Sequence, residues 1–193
     1  MGKKDKTTIF LFRLVTSIVI LFTTSIYCSC TENIEVRQIK KMIGKKISFN
    51  MNLLEIRKDT IKSFDKSTME NKLKIITYSD RSSCTDCMLG STILLERLID
   101  SLHIPADLYI ITYPVGDSLL FSYVNKVKAK YTILYDSDNT FLKKNNLQNT
   151  LARNRTMLLD DDNKIIIIGE PLRNNKIADL YVMAARELAL KNK

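Results

Sequence analysis

Cys84 and Cys87, in Ser83-Cys84-Thr85-Asp86-Cys87, are the two residues whose type and spacing most directly offer chemistry. On a helical turn, residues three apart share a face, and their sulfurs come within reach of a disulfide. At a helix N-terminus, N–H groups without intrahelical partners and the macrodipole favour a thiolate. Cys84 is then the more exposed and more acidic thiol, and Cys87 lies one turn deeper. That arrangement suits attack by Cys84 and resolution by Cys87. Asp86 works against it, because a carboxylate beside the thiols disfavours the thiolate. Raising the energy of the reduced thiolate makes the disulfide harder to reduce, by roughly 30 mV for about 1.4 kcal/mol. Asp86 alone therefore points to a reducing or structural pair rather than a strong oxidant.

A strand must bring the chain to this pair and a helix must hold it. Leu73 to Tyr78 is apolar and β-branched, as a central strand requires. Asp80 to Ser83 form a polar loop, and the helix beyond runs to about Leu102, with Ile93, Leu94, Leu98 and Leu102 on its apolar face. Leu108 to Tyr113 form a second buried strand. Asp117 N-caps a helix turning Leu120, Tyr123, Val124 and Val127 inward. Tyr131 to Tyr135 make a further strand. Thr156 to Leu159 and Lys164 to Ile168 flank a hairpin turn at Asp160-Asp161-Asp162-Asn163. A last helix, from about Asn175 to Leu190, carries Ile177, Leu180, Tyr181, Ala184 and Leu188 on one face. Upstream, a short helix through Ile34, Ile39, Met42 and Ile43 ends at Gly44, and Lys46 to Asn50 and Leu53 to Arg57 look like short strands. This order implies an α/β domain with a central mixed β-sheet, helices on both faces and an N-terminal extension.

The 193 residues fit one domain plus a targeting segment, and five Gly and three Pro leave little room for a flexible linker. Of the net charge of +9, three positive charges belong to the leader, where Lys3, Lys4, Lys6 and Arg13 face Asp5. The other basic residues are dispersed, without aromatic interleaving, so no nucleic-acid partner is expected. No metal or cofactor is expected either. Two thiols lack the partners a structural zinc site needs. His103, the single histidine, reads as a helix C-terminal residue, and the acidic turn has no EF-hand spacing.

Residues 1–29 have the layout of a secretion signal: a basic start ending at Arg13, then an apolar stretch from Leu14 to Ile26. Thirteen residues as a helix span about 20 Å, short of the roughly 30 Å hydrocarbon core; the alternative is an uncleaved anchor that adds Ile9 to Phe12 and buries Arg13. Ser25-Ile26-Tyr27-Cys28-Ser29-Cys30 resembles the lipobox of bacterial lipoproteins, with small Ser29 preceding Cys30 and Tyr27 where Leu is usual. The resemblance implies acylation of Cys30, which supplies chains enough for a stable membrane anchor. The domain would then face an extracytoplasmic, oxidising compartment of a bacterial cell envelope. Thr31 is not the Asp that marks inner-membrane retention in enterobacterial lipoproteins, which points by resemblance to the outer membrane. Residues 30–70 read as tether and N-terminal extension, and 71–193 as the folded domain.

Strand, CxxC and helix, with Thr156-Met157-Leu158-Leu159-Asp160 and the Asn163-Lys164-Ile165 turn, resemble the thioredoxin superfamily, in particular its membrane-tethered redoxin branch of TlpA/ResA type. The resemblance covers residues 44 to 190. It implies disulfide exchange with client or redox-partner thiols, with Cys84 attacking and Cys87 resolving. Peroxiredoxins and copper carriers of the Sco type share the fold. The Pro-x-x-x-Thr/Ser-x-x-Cys motif of the first is absent from Thr77 to Cys84, and the wider cysteine spacing and later histidine of the second are missing. The chain departs from the thioredoxin pattern at two positions. Ser83 stands where the family has Trp, and Arg155 occupies the slot of the cis-proline that faces the disulfide and orients clients. A non-proline cis peptide costs about 2.5–4 kcal/mol, so Asn154–Arg155 is expected to be trans. With the family register, the Arg155 guanidinium lies near Cys84 and favours its thiolate, opposing Asp86; the alternative is that Arg155 points to solvent. The rival function is a binding or assembly lipoprotein of the same fold whose disulfide is structural.

Overall fold

In the computed structural model, residues 34–49, 52–57, 60–69, 73–79, 85–113, 124 and 131–191 are described. The chain divides into two units, Met1–Arg37 and Gln38–Lys193. Of the first unit only residues 34–37 are described, the opening turn of helix α1 (Ile34–Met42).

The second unit is built on one seven-stranded sheet. Its strands are β1 (Leu54–Arg57), β2 (Thr60–Ser63), β3 (Leu73–Ser79), β4 (Ala106–Thr112), β5 (Thr132–Tyr135), β6 (Thr156–Leu159) and β7 (Ile165–Ile168), in the order β2-β1-β5-β4-β3-β6-β7. The three central strands β3, β4 and β5 are parallel, and both flanks are antiparallel. Strand residues alternate between two cores. On one face Ile76, Tyr78, Ile111, Leu134 and Met157 pack with Met42, Phe49 and Phe141. On the other, Ile75, Ile110, Ile133 and Leu158 pack with Leu95 and Ile99 of α2 (Thr85–Ser101) and Tyr181 of α4 (Asn175–Lys191). Burial on both faces explains why the central strands read as continuous apolar runs rather than alternating ones.

Among the described residues the expected strands from β3 onward and the expected helices after Ser83 and at Asn175 form, with ends shifted by no more than two residues. Of the helix expected after Asp117, only Val124 is described; it is helical and packs on the α2–α4 core. One strand and one α-helix among the described residues are missing from the sequence reading. Every residue of β2 is exposed, so this edge strand has no burial pattern to betray it. Helix α3 (Thr140–Lys144) has five residues, too few for a helical period.

Of the strand expected over Lys46 to Asn50, Asn50 lies outside the described residues and residues 46–49 form no strand; among them a single bridge, Lys46 to Lys164, pairs with the residue just before β7. Gly44 N–H donates to Ile165 O and Ile47 N–H to Asn163 O, in the turn before β7. Ser48 turns instead to the Asn145 amide, donating to its Oδ1 at 2.8 Å and accepting from its Nδ2 at 3.0 Å.

Helix ends follow the chemistry of the left-handed region. Gly44 has φ +79 just beyond α1, as its place in the sequence requires. His103 occupies the corresponding position after α2, with φ +53. Ile104 N–H donates to Ile99 O and His103 N–H to Asp100 O, the paired bonds of a Schellman ending. The histidine is thus a helix stop, at the end of α2 away from Cys84.

Lys74 departs most from its surroundings. It is fully buried in central strand β3, and its Nζ donates to the Asp160 and Asp161 carbonyls at 3.1 and 3.2 Å. Burial lowers its pKa, against the opposing fields of Asp160, Asp161, Asp107 and Asp162. The acidic β6–β7 turn therefore has a structural cation beneath it. Its outer carboxylate, Asp162, pairs with Lys164 at 2.9 Å in solvent.

Candidate functional site

The parallel strands all point their carboxyl ends at one edge of the domain, the place where α/β sheets present their sites. Strand β3 delivers the chain to Ser79, and α2 starts at Thr85. Cys84 is the residue immediately before that helix, and Cys87 is its third residue. Cys84 lies outside the described residues, as do Cys30 and the side chains of Asp86 and Cys87.

The floor of this edge is polar and buried. Ser79 and Thr112 end β3 and β4, and Asp136 follows β5 directly, with exposures of 2%, 3% and 0%. Backbone bonds tie them in sequence: Tyr113 N–H donates to Ser79 O at 3.0 Å, and Asp136 N–H to Thr112 O at 2.9 Å. The Asp136 carboxylate is consumed by structure. Its Oδ1 accepts from the Thr140 N–H and hydroxyl, and its Oδ2 from the Phe141 N–H at 2.9 Å, so it caps the first turn of α3. Tyr78 stacks on Phe141 with ring centroids 5.8 Å apart, and its hydroxyl donates to Asn139 Oδ1 at 2.8 Å.

Arg155 lies at the same edge. The Tyr78 N–H donates to the Arg155 carbonyl at 3.2 Å, carrying the β3–β6 ladder past its last pair, Thr77 and Thr156. Arg155 is thereby held beside the end of β3, the strand that precedes the cysteine pair in the chain. Among the described residues no peptide bond is cis, so Asn154–Arg155 is trans. The solvent-pointing alternative for Arg155 is overturned: the residue is 9% exposed, and its Nε donates to Thr150 O at 3.3 Å. The reason is local. The turn from Leu147 to Leu151 brings the Thr150 carbonyl under the side chain, and a buried guanidinium needs such acceptors.

Gly169 completes the edge and was not singled out by sequence. Its φ is +126, its N–H donates to Thr156 O at 2.8 Å, and its carbonyl accepts the Tyr181 hydroxyl at 3.1 Å. Burial raises the Tyr181 pKa, with Glu170 adding to it, so this phenol stays a donor. The available signal was a glycine closing an apolar run two residues before Pro171.

Among the described residues no group of His, Cys, Asp and Glu could hold a metal ion. Among the same residues no helix is long and apolar enough to cross a membrane.

No protein-family model matches the sequence, and no curated protein matches it. Solved structures do. A proposed protein disulfide isomerase from Bacteroides thetaiotaomicron is 17% identical over 76% of this chain and 89% of its own, with a TM-score of 0.54. The thioredoxin domain of a thiol-disulfide oxidoreductase from Bacteroides vulgatus is 12% identical over 72% and 94%, with a TM-score of 0.52. Peroxiredoxin Q of Xanthomonas campestris is 11% identical over 75% and 97%, also with a TM-score of 0.52. At such identities the likeness is one of fold, and the mixed sheet with helices on both faces is a thioredoxin-like fold.

Proposed function

We propose that this protein exchanges thiols and disulfides with client proteins through Cys84 and Cys87, as a membrane-tethered redoxin of the TlpA/ResA type. One observation carries the reading: in a thioredoxin-like fold, the cysteine pair falls where the central parallel strand passes into the N-terminus of α2. Two solved structures of similar fold are named a thiol-disulfide oxidoreductase and a protein disulfide isomerase, which supports the same role.

In the proposed reaction the Cys84 thiolate attacks one sulfur of a client disulfide, and the client's other sulfur leaves as a thiolate. The Cys87 thiol, losing its proton to solvent, then attacks the Cys84 sulfur and releases the second client thiol. The client gains two electrons and two protons, and Cys84 and Cys87 become a disulfide. Asp86 favours this reducing direction, and Arg155 moderates it by favouring the Cys84 thiolate. Acylated Cys30 would anchor the mature chain on the outer membrane of the cell envelope, with the domain in the extracytoplasmic space.

Mass-shift trapping of the thiols across a dithiothreitol series tests the reading. A single reversible two-electron transition is expected, together with a client mixed disulfide that accumulates in Cys87→Ala and not in Cys84→Ala. A pair that stays reduced under strong oxidant overturns it. One that resists all non-denaturing reduction selects the binding lipoprotein with a structural disulfide.

A further inference from the structure

Arg37, Lys40, Lys41, Lys45 and Lys46 all stand between Glu35 and Glu55, and the sequence places no carboxylate among them. The four lysines belong to the second unit, where the chain leaves the last turn of α1, passes Gly44 and meets the sheet at β7. Two bonds clamp it there: Gly44 N–H donates to Ile165 O at 2.8 Å, and Ile165 N–H donates to Lys45 O at 2.9 Å. Met42 and Ile47 sink into the core with exposures of 8% and 3%. Around them Lys40, Lys41, Lys45 and Lys46 are exposed, and Ile43, next to buried Met42, is 43% exposed.

The acidic β6–β7 turn answers part of this charge at Lys46, which lies in the field of Asp162. The rest of the stretch combines lysines with an outward isoleucine on a backbone held to the sheet. That composition fits a bilayer interface, where cations meet anionic headgroups and an apolar side chain enters the boundary beneath them. Chain length brings the two together. Lys40 is ten residues from Cys30, so it lies within about 35 Å of that residue however the intervening chain runs. A few lysines hold anionic lipid weakly by themselves. A short tether makes the contact intramolecular and raises the effective lipid concentration around them.

We propose that the surface of Lys40, Lys41, Ile43, Lys45 and Lys46 lies on the anionic headgroups of the membrane that holds the anchor, with Ile43 at the headgroup boundary. The proposal rests on the reading of Cys30 as the acylated residue. To that reading it adds an orientation of the folded domain, with its β7 edge toward the lipid.

Lysine acetylation by a neutral ester, read residue by residue by mass spectrometry, tests this. The mature protein is reconstituted into vesicles of phosphatidylcholine alone, or of a roughly three-to-one mixture with phosphatidylglycerol. On the anionic vesicles Lys40, Lys41, Lys45 and Lys46 should react at least about threefold more slowly, while exposed Lys143 and Lys176 keep their rates, and high salt should reverse the protection. Lys41→Gln with Lys45→Gln should remove at least half of the protection at Lys40 and Lys46. Flotation on phosphatidylcholine vesicles reports the anchor by itself. A chain that never floats on neutral lipid, or a Cys30→Ala chain that still does, overturns the acylated anchor and the proposal with it. A chain anchored through Cys30 whose lysines react alike on both lipids overturns the proposal alone. So does protection that is equal at Lys143 and Lys176, or unmoved by the double variant.

Discussion

The Tyr78 amide donates to the Arg155 carbonyl across 3.2 Å, and that bond holds Arg155, the residue expected to replace a proline, against the end of β3. Proline there would retain the carbonyl acceptor and lose the cation. Arginine keeps both, and its Nε bond to Thr150 O orients the buried guanidinium.

Arg155→Ala should therefore act on the thiol as well as on stability. In a Cys87→Ala background, the pH dependence of Cys84 alkylation should shift to a higher apparent pKa, because a cation that favours the thiolate has gone. Arg155→Lys should restore most of that shift. Loss of the Thr150 bond adds a destabilisation of about 1–2 kcal/mol, read by chemical denaturation. An alkylation profile identical in all three proteins would limit Arg155 to a structural role.

Lys74 predicts a pH dependence of stability. Burial lowers its pKa in the folded state, so between that lowered value and about 10.4 the unfolded chain binds more protons than the folded one. Stability contributed by this group therefore rises with pH across that window. Compared with Lys74→Met by urea denaturation, wild type should gain as pH is raised from neutrality towards 10. A constant difference between the two proteins would contradict the burial cost assigned to this lysine.

Gly169 cannot be replaced cheaply. Its φ of +126 is a region that side chains rarely adopt, and an added Cβ would lie 2.6 Å from Ile177 Cδ1. Gly169→Ala should destabilise by about 1–3 kcal/mol. Adding Ile177→Val should recover only part of the loss, since it relieves the clash and not the backbone strain. Full recovery in the double variant would assign the cost to the side-chain contact.

Asp136→Ala removes the acceptors for two α3 amides and the Thr140 hydroxyl. A loss of about 1–2 kcal/mol is expected from the missing cap. Hydrogen exchange at Thr140 and Phe141 should speed up more than at central-strand amides such as Ile76. Uniform acceleration across both would show that the cap is not a local device.

What the sequence by itself determined is the alternation of β3, α2 and β4, the β6–β7 hairpin, the final helix and the position of the CxxC pair between strand and helix. These are signals of local period and turn chemistry, strong because each element is long enough to repeat its pattern or carries its own turn residues. Tertiary structure alone decided the rest. Lys46 to Asn50 could have been a strand by composition, but after the Ile47 bond to Asn163 the Ser48 backbone pairs with the Asn145 amide instead. Lys74 reads as a surface residue in any window of sequence. It is buried because the carbonyls of Asp160 and Asp161, more than eighty residues away, meet its ammonium. Arg155 was legible as a departure from proline, but its burial depended on where the Thr150 carbonyl would come to lie. A polar group's fate follows from which partners the fold brings to it, and those partners are distant in sequence.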